Sequence, residues 1–375
     1  MAFRPENIPL VARRFWTSDE LPSFCSNTLA CPLSGGHCQV YKLGFSDQTT
    51  WAVRIPIHAR NAPKEVVTSE LQCKIEVLEL LDASGFKWAP KLIGHDLSYD
   101  NEVGFPLIVY SWVSGDPLKW NDAAPLHRCD RDKVLRQVIQ IILQLIQCTK
   151  AKKGPTLDFL TDAVDRKFIR VFRNQLPGIS LEDCLALRAS LPEVVHGELD
   201  DAPFLISHGD LSSNNILVDN DYNITGIIDW GFATYQPFPL AGGLPRFLVM
   251  ETEESLIPSS VTQQDRRSLV THLSQCSCEY APLLALMYGA ADADYRWMVL
   301  EAVFSKGTHK WLADCMWFKS GSTSRIDREI LEREMEAFLS GRVNLGANLT
   351  REQVCQCLPW MKARDVQHLR FEQSA

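Results

Sequence analysis

Two carboxylates and one carboxamide stand out by their spacing. Asp210 lies in Ile206-Ser207-His208-Gly209-Asp210-Leu211, five residues before Asn215. Asp229 closes the run Gly226-Ile227-Ile228-Asp229-Trp230-Gly231, 19 residues after Asp210. Between them, Ile216-Leu217-Val218 and Ile224 to Ile228 are short apolar runs around the polar stretch Asp219 to Asn223. Paired runs of this kind predict a hairpin. Its open end would bring Asn215 and Asp229 together beside Asp210. Carboxylate and amide oxygens suit a hard cation such as Mg²⁺. The second carboxylate, Asp210, is then free to orient a hydroxyl and accept its proton. Phosphoryl transfer needs that division of labour, with a metal for the phosphate charge and a positioner for the nucleophile.

The elements around these residues must hold them. Gln39 to Phe45 and Thr50 to Pro56 alternate polar and apolar residues around Asp47-Gln48-Thr49, which predicts an antiparallel hairpin. Val67, Leu71, Ile75, Leu78 and Leu81 recur at spacings of three and four, so a helix is expected over 64–83, ended by Gly85. Trp88 to Asp96 and Phe105 to Tyr110 read as further strands. Ser114-Gly115-Asp116-Pro117 punctuates the chain and sets the expected domain boundary, 1–114 against 115–375. Helical patterns dominate after it. Val134 to Cys148 is apolar with Gln137, Gln140, Gln144 and Gln147 interrupting. Phe159 to Phe172 carries an expected basic face of Arg166, Lys167, Arg170 and Arg173. Tyr280 to Met287, Tyr295 to Phe304, Lys310 to Phe318 and Ile326 to Leu339 follow.

His208-Gly209-Asp210-Leu211, then Asn215-Ile216-Leu217-Val218, then Ile227-Ile228-Asp229-Trp230-Gly231 resemble the catalytic loop and metal-binding segment of the aminoglycoside phosphotransferase and choline kinase family. The Arg54-Ile55-Pro56 run resembles fungal members. The resemblance extends over roughly residues 30–320. It implies an α+β, bilobal protein-kinase-like fold, with a small antiparallel-sheet N-lobe and a larger, mainly helical C-lobe. It also implies an enzyme that uses ATP and Mg²⁺ to phosphorylate a hydroxyl of a small molecule. Asp210 would be catalytic, and Asn215 and Asp229 would hold the metal. Gly35 and Gly36 would cover the phosphates. Arg54 stands where the family carries Lys, and Glu70 where it carries the ion-pairing Glu. Ile108 to Leu118, through Ser111 and Val113, resembles the hinge that holds adenine. His208 would brace the loop, and Trp230 would pack.

Some motifs argue the other way. Ser34-Gly35-Gly36 lacks Gly-x-Gly-x-x-Gly, and no Walker-type loop occurs. Arg is planar and bidentate where Lys is a point charge, so Arg54 is a real departure. The alternative is therefore a non-catalytic, nucleotide-binding or regulatory module on the same fold. A protein kinase fits poorly, since His-Arg-Asp, Asp-Phe-Gly and Ala-Pro-Glu are missing. Lys42 and Lys64 have no positional match in the family.

Composition bounds the rest. The 375 residues are 46% hydrophobic and 22% charged, which is ordinary for a folded chain of two or three domains. A net charge of −8 argues against nucleic-acid binding. Met1 to Leu10 has no apolar signal core, and no run reaches the length of a membrane span, so a cytoplasmic protein without membrane insertion is expected. Twelve cysteines without a Cys-x-x-Cys read as reduced, mostly buried thiols. Lys150, Lys152 and Lys153 read as a solvated face. Glu251, Glu253 and Glu254 read either as a solvated loop or as an acidic rim suited to a cationic acceptor. Neither the acceptor nor the oligomeric state is legible.

Overall fold

The computed structural model describes residues 3–17, 19–25, 27–34, 38–57, 62–195, 197–249, 258–315, 327–341 and 349–358. The expected first hairpin forms from β3 (Gln39–Gly44) and β4 (Thr50–Ile55) in the alternating register, with Val40 opposite Arg54. β6 (Leu107–Ser111) pairs with β4 on one side and with β5 (Leu92–Asp96) on the other. The short strands β1 (Ser23–Phe24) and β2 (Leu33–Ser34) both pair with β3 and complete an antiparallel six-stranded sheet.

Strand alternation gives this sheet two faces. Tyr41, Leu43, Trp51, Val53 and Ile55 bury against α1 (Ile8–Ala12). Arg54 and Ala52 lie on the opposite face with their cross-strand neighbours Ile108 and Tyr110. α2 (Lys64–Ala83) has the bounds expected from its periodicity, and its buried residues are the five expected. Val67, Leu71 and Ile75 pack on Ile108 of the sheet. Leu78 and Leu81 join the core of the helical part, so one helix ties the two regions.

That core centres on α3 (Arg128–Thr149), which starts six residues before its expected apolar stretch. Two of the glutamines that interrupt its apolar pattern are tethers. Gln137 accepts from Ile224 N–H at 2.9 Å and donates to Tyr222 O at 3.0 Å. Gln144 accepts from Trp88 Nε1 at 3.0 Å. α4 (Thr156–Phe172) begins before its expected start. Lys167 leaves its expected basic face and is buried, with its Nζ donating to Ala302 O at 2.5 Å.

Two of the longer helices escape the apolar pattern, α5 (Leu181–Val194) and α7 (Ser260–Ser274). Both carry cap signals. Ser180 and Asp183 form a capping box, and Ser259 accepts from Thr262 N–H. α8 (Ala281–Gly289), α9 (Ala293–Phe304), α10 (Lys306–Asp314), α11 (Arg328–Gly341) and α12 (Arg351–Cys357) complete the helical part. The expected ends of two helices, 316–318 and Ile326, lie outside the described residues. All twelve cysteines are free thiols, but only Cys38 and Cys184 are buried, so the expectation of mostly buried thiols fails. Among the described residues, no helix is long and apolar enough to cross a membrane.

Candidate active site

β8 (Phe204–Ser207) delivers the chain to His208. It is pinned on one edge by β11 (Thr234–Pro237) and by Thr149 of α3, whose Oγ1 accepts from Ile206 N–H at 3.0 Å. The expected second hairpin forms from β9 (Ile216–Val218) and β10 (Ile224–Ile227), with Ile216 opposite Ile227. Asp219 closes its turn by accepting from the N–H groups of Asp221 and Asn223. At the open end, Ile228 N–H donates to Asn215 O at 2.9 Å. Asn215 and Asp229 therefore flank one end of one hairpin, as the spacing predicts.

Asp210 sits on the same loop. Asn215 Nδ2 donates to Asp210 O at 2.8 Å and to its Oδ2 at 3.1 Å. With its amide nitrogen used there, Asn215 has its side-chain oxygen left for other partners. Asp229 adopts a left-handed conformation, φ 60° and ψ 56°. A non-glycine residue in that region is strained and is held there by its surroundings, a frequent property of functional sites. Gly209 is also left-handed, φ 79°, and a Cβ there would meet Phe232 O at 2.4 Å. Only glycine fits between His208 and Asp210.

His208 braces the loop. Its Nε2 is 2.9 Å from Ile228 O, and its Nδ1 accepts from Asp210 N–H at 3.3 Å. This pattern assigns the proton to Nε2. Burial pushes its basicity down, which favours the neutral ring. The ring meets Trp230 edge-on at 4.6 Å, and Trp230 Nε1 donates to Ile227 O at 2.8 Å. Trp230 is buried and packs on Phe86, as expected for a structural residue.

The sheet reaches the site through Arg54. Its Nη1 donates to Asp229 Oδ1 at 2.6 Å. Burial opposes the guanidinium charge, and Cys38, Tyr110 and Asp229 outweigh it, holding Arg54 above its usual range. Burial pushes Asp229 up, but the adjacent Arg54 charge and hydrogen bond prevail and hold its carboxyl below the usual range. Arg54 Nε is buried with no hydrogen-bond partner among the described residues. A buried donor left unpaired is a rarity that needs an explanation.

Glu70 does not meet Arg54. It is exposed on α2, and among the described residues Arg54 has its ion pair with Asp229 instead. The α2 face that turns inward is the apolar stripe, with Glu70 beside it. Lys42 and Lys64 are engaged elsewhere, over the rings of Trp112 and Tyr99. At the hinge, Ser111 N–H donates to Lys91 O, and Ser111 Oγ accepts from Lys91 N–H. No hydrogen bond involves the Val113 backbone among the described residues. Gly35 and Gly36 lie outside the described residues, as do Glu251, Glu253 and Glu254. Lys150 pairs with Glu279, and Lys153 lies over Tyr235, as a surface run would.

One site residue has no signal in the motifs. Arg246, on the short turn Arg246–Leu248, donates from Nη1 to Asp210 Oδ1 at 3.1 Å. It lies 36 residues from Asp210 in the chain, and only folding brings it there.

The donor set suits Mg²⁺ in kind. Asn215 and Asp229 offer oxygens, and Mg²⁺ commonly takes only one or two protein ligands and completes its shell with water and phosphate. Among the described residues there is no cluster of three His, Cys, Asp or Glu that would make a full protein cage.

Comparison with known proteins agrees with this geometry. Residues 30–238 match the family described as the phosphotransferase enzyme family. The Clavilactone A biosynthesis cluster protein Y of Ampulloclitocybe clavipes is 32% identical over 112 residues, 29% of this chain and 26% of that protein. The chain thus spans about a quarter of the length of the curated relative it matches. A Ralstonia eutropha protein assigned as an aminoglycoside phosphotransferase has a similar solved structure, with TM-score 0.54 and 15% identity over 90% of this chain and 99% of that one. Ethanolamine kinase of Plasmodium vivax is similar at TM-score 0.51 and 13% identity, over 89% and 87% of the two chains. Both likenesses establish the protein-kinase-like fold.

Proposed function

The chain belongs to the phosphotransferase enzyme family, and we propose that it transfers the γ-phosphoryl group of ATP, with Mg²⁺, to a hydroxyl of a small molecule. The observation that carries this reading is the convergence at one hairpin end. Asp210, Asn215 and Asp229 meet there, and Arg54 reaches them from the sheet.

The division of labour follows from the contacts. Asp210 accepts the proton of the acceptor hydroxyl. The acceptor oxygen bonds to the γ-phosphorus, the bond from phosphorus to the β–γ bridging oxygen breaks, and ADP leaves with that electron pair. Mg²⁺, held by oxygens of Asn215 and Asp229, would supply neutralisation of phosphate charge. Arg54 serves as the fixed cation for the nucleotide phosphates, and its unpaired Nε is a donor in reserve. The Val113 backbone groups offer an edge for the adenine. His208 and Gly209 fix the loop so that Asp210 needs little rearrangement, which is the positioning that phosphoryl transfer depends on.

The acceptor is a hydroxyl compound. The relative named for a biosynthesis cluster favours a small molecule over a protein. An ADP-release screen across amino alcohols, sugars and aminoglycosides, with Asp210→Asn as control, tests the reading. Release from the wild type that is lost in Asp210→Asn supports it. Equal release from both proteins sinks the role of Asp210.

One observation favours a second reading. Arg54 already occupies an oxygen of Asp229, so the pair could be a permanent plug in a non-catalytic module. Thermal shift separates the two. An ATP-induced shift that requires Mg²⁺ supports the enzyme, whereas a metal-independent shift, or none, supports the module.

A further inference from the structure

Arginine–carboxylate pairs recur in the helical part, and one of them includes the catalytic loop. Arg128 and Arg131 are matched by Asp132 and Asp265, and Arg266 by Asp294. Arg246 has Asp210 itself among its partners, and 46% of its side chain is exposed. Asp210 is therefore held from two sides, at Oδ1 by Arg246 and at Oδ2 by Asn215.

The turn beneath Arg246 is anchored firmly. Leu248 N–H donates to Pro245 O at 2.8 Å. Leu248 O accepts from Arg266 Nε and Nη2 at 2.9 and 2.6 Å, and Arg266 is locked to Asp294. Phe247 meets Trp120 edge-on at 5.1 Å. The base of the residue is fixed, while its long side chain is half in solvent. That combination keeps a cation near one point while letting it change partner.

We propose that Arg246 is a positioning residue for phosphoryl transfer. It holds Oδ1 of Asp210 before the acceptor binds and turns to the phosphoryl oxygens when the hydroxyl takes its place. This rests on the reading of Asp210 given above. A hydroxyl that gives its proton to Asp210 must come within about 2.6–3.2 Å of a carboxylate oxygen. The phosphorus it attacks then lies close beyond it, inside the reach of a side chain now 3.1 Å from the same carboxylate. A guanidinium stays charged at any working pH, and its fork of donors matches phosphoryl oxygens. No atom is added or lost by this exchange, since only the hydrogen-bond partners of Arg246 change.

The test uses steady-state ADP release from MgATP with purified full-length protein, first with water as acceptor and then with the best compound from the screen. Wild type, Arg246→Ala, Arg246→Lys and Asp210→Asn are compared, each with its melting temperature. The expected result for Arg246→Ala is a kcat lower by roughly 10- to 100-fold, with KM for MgATP within about twofold of wild type. Arg246→Lys should recover part of kcat, because it keeps a cation there. A merely structural role would move Tm and would not split kcat from KM. If wild type is active and Arg246→Ala keeps its kcat within twofold, this proposal is overturned while the reading of Asp210 stands. If Asp210→Asn is as active as wild type, the reading of Asp210 fails and the proposal fails with it. Should Arg246→Ala fold poorly, Arg246→Lys decides, with full wild-type kcat and KM overturning the proposal, since a lysine should recover only part of kcat.

Discussion

The cleft and the helical core both hold arginine–carboxylate pairs, yet they hold them differently. In the helical core Asp265 is fully buried and takes contacts from Arg131 Nε, Arg131 Nη2 and Arg128 Nη1. Arg188 bridges Asp165 at 3.0 Å and Glu334 at 2.5 Å, with all three side chains largely enclosed. In the cleft, Asp229 is 40% exposed and meets Arg54 through one nitrogen, while Arg54 Nε stays unpaired. Arg246 and Asp210 are more open still. Sealed and multiply satisfied pairs fix a fold, because any single loss strands a buried charge. More open pairs, with solvent beside them, can exchange a carboxylate for a phosphate. The difference separates what the charges do in each region more clearly than their count.

Asp210→Asn attacks the open side of that contrast. Turnover should fall about 10²- to 10⁴-fold, the usual range for a lost general base, with little change in melting temperature. A large fall in Tm would show that the cleft pair is structural after all. Asp265→Ala attacks the sealed side. It leaves Arg131 buried without its carboxylate and should destabilise the fold by about 3–5 kcal/mol, read by chemical denaturation. Were stability unchanged and turnover lost, the assignment of the two regions would be reversed.

Much of this was legible in the sequence, and the reasons differ by residue. The hairpin that joins Asn215 to Asp229 follows from two apolar runs and a turn, which are local signals. α2 follows from a strict apolar stripe over 20 residues. Glu70 was placed by resemblance to the family, and side-chain direction depends on how a helix is rotated against its sheet, which the motif does not carry. Lys167 was assigned to a basic face because its neighbours in sequence are basic. Its burial comes from α9 and α10, more than a hundred residues away. Arg246 has no motif at all, since its contact with Asp210 arises only in three dimensions. α5 and α7 lack clean periodicity, although Ser180 with Asp183 and Ser259 with Thr262 mark their starts.

A smaller effect sharpens the open side. A Cβ on Gly231 would meet Asp229 Oδ1 at 3.0 Å and Arg54 Nη2 at 3.1 Å. Gly231→Ala should press these two side chains out of place. KM for MgATP should rise by about fivefold, equivalent to about 1 kcal/mol, while Tm stays near that of wild type. An unchanged KM would mean that the Arg54–Asp229 geometry does not matter to the nucleotide.

The last effect is the pH dependence of the sealed side. Burial holds Lys167 down to about 8 and, with the Lys167 charge beside it, His309 down to about 4. The two meet, Lys167 Nζ to His309 Nδ1, at 3.3 Å, and His309 Nε2 lies 3.2 Å from Asp183 O. Cys184 is pushed up to about 12 by burial and remains a thiol there. Arg170 opposes the charge on Lys167, while Glu301 and Cys184 favour it. For Lys167 and His309 the folded pKa lies below the unfolded one, so across the gap the unfolded chain binds more protons and stability rises with pH. For His309 that window runs from about 4 to 6.5, and for Lys167 from about 8 to 10.5. Each slope is at most about 1.4 kcal/mol per pH unit. Asp229 has the same sign, because its lowered pKa gives stability that is present above the ordinary carboxylate pKa and lost as pH falls below it. Urea denaturation from pH 8 to 10.5 should therefore show wild type gaining on Lys167→Met, which has no proton to lose. Parallel curves for the two proteins would show that Lys167 is hydrated in the folded state and that the helical core does not seal its charges.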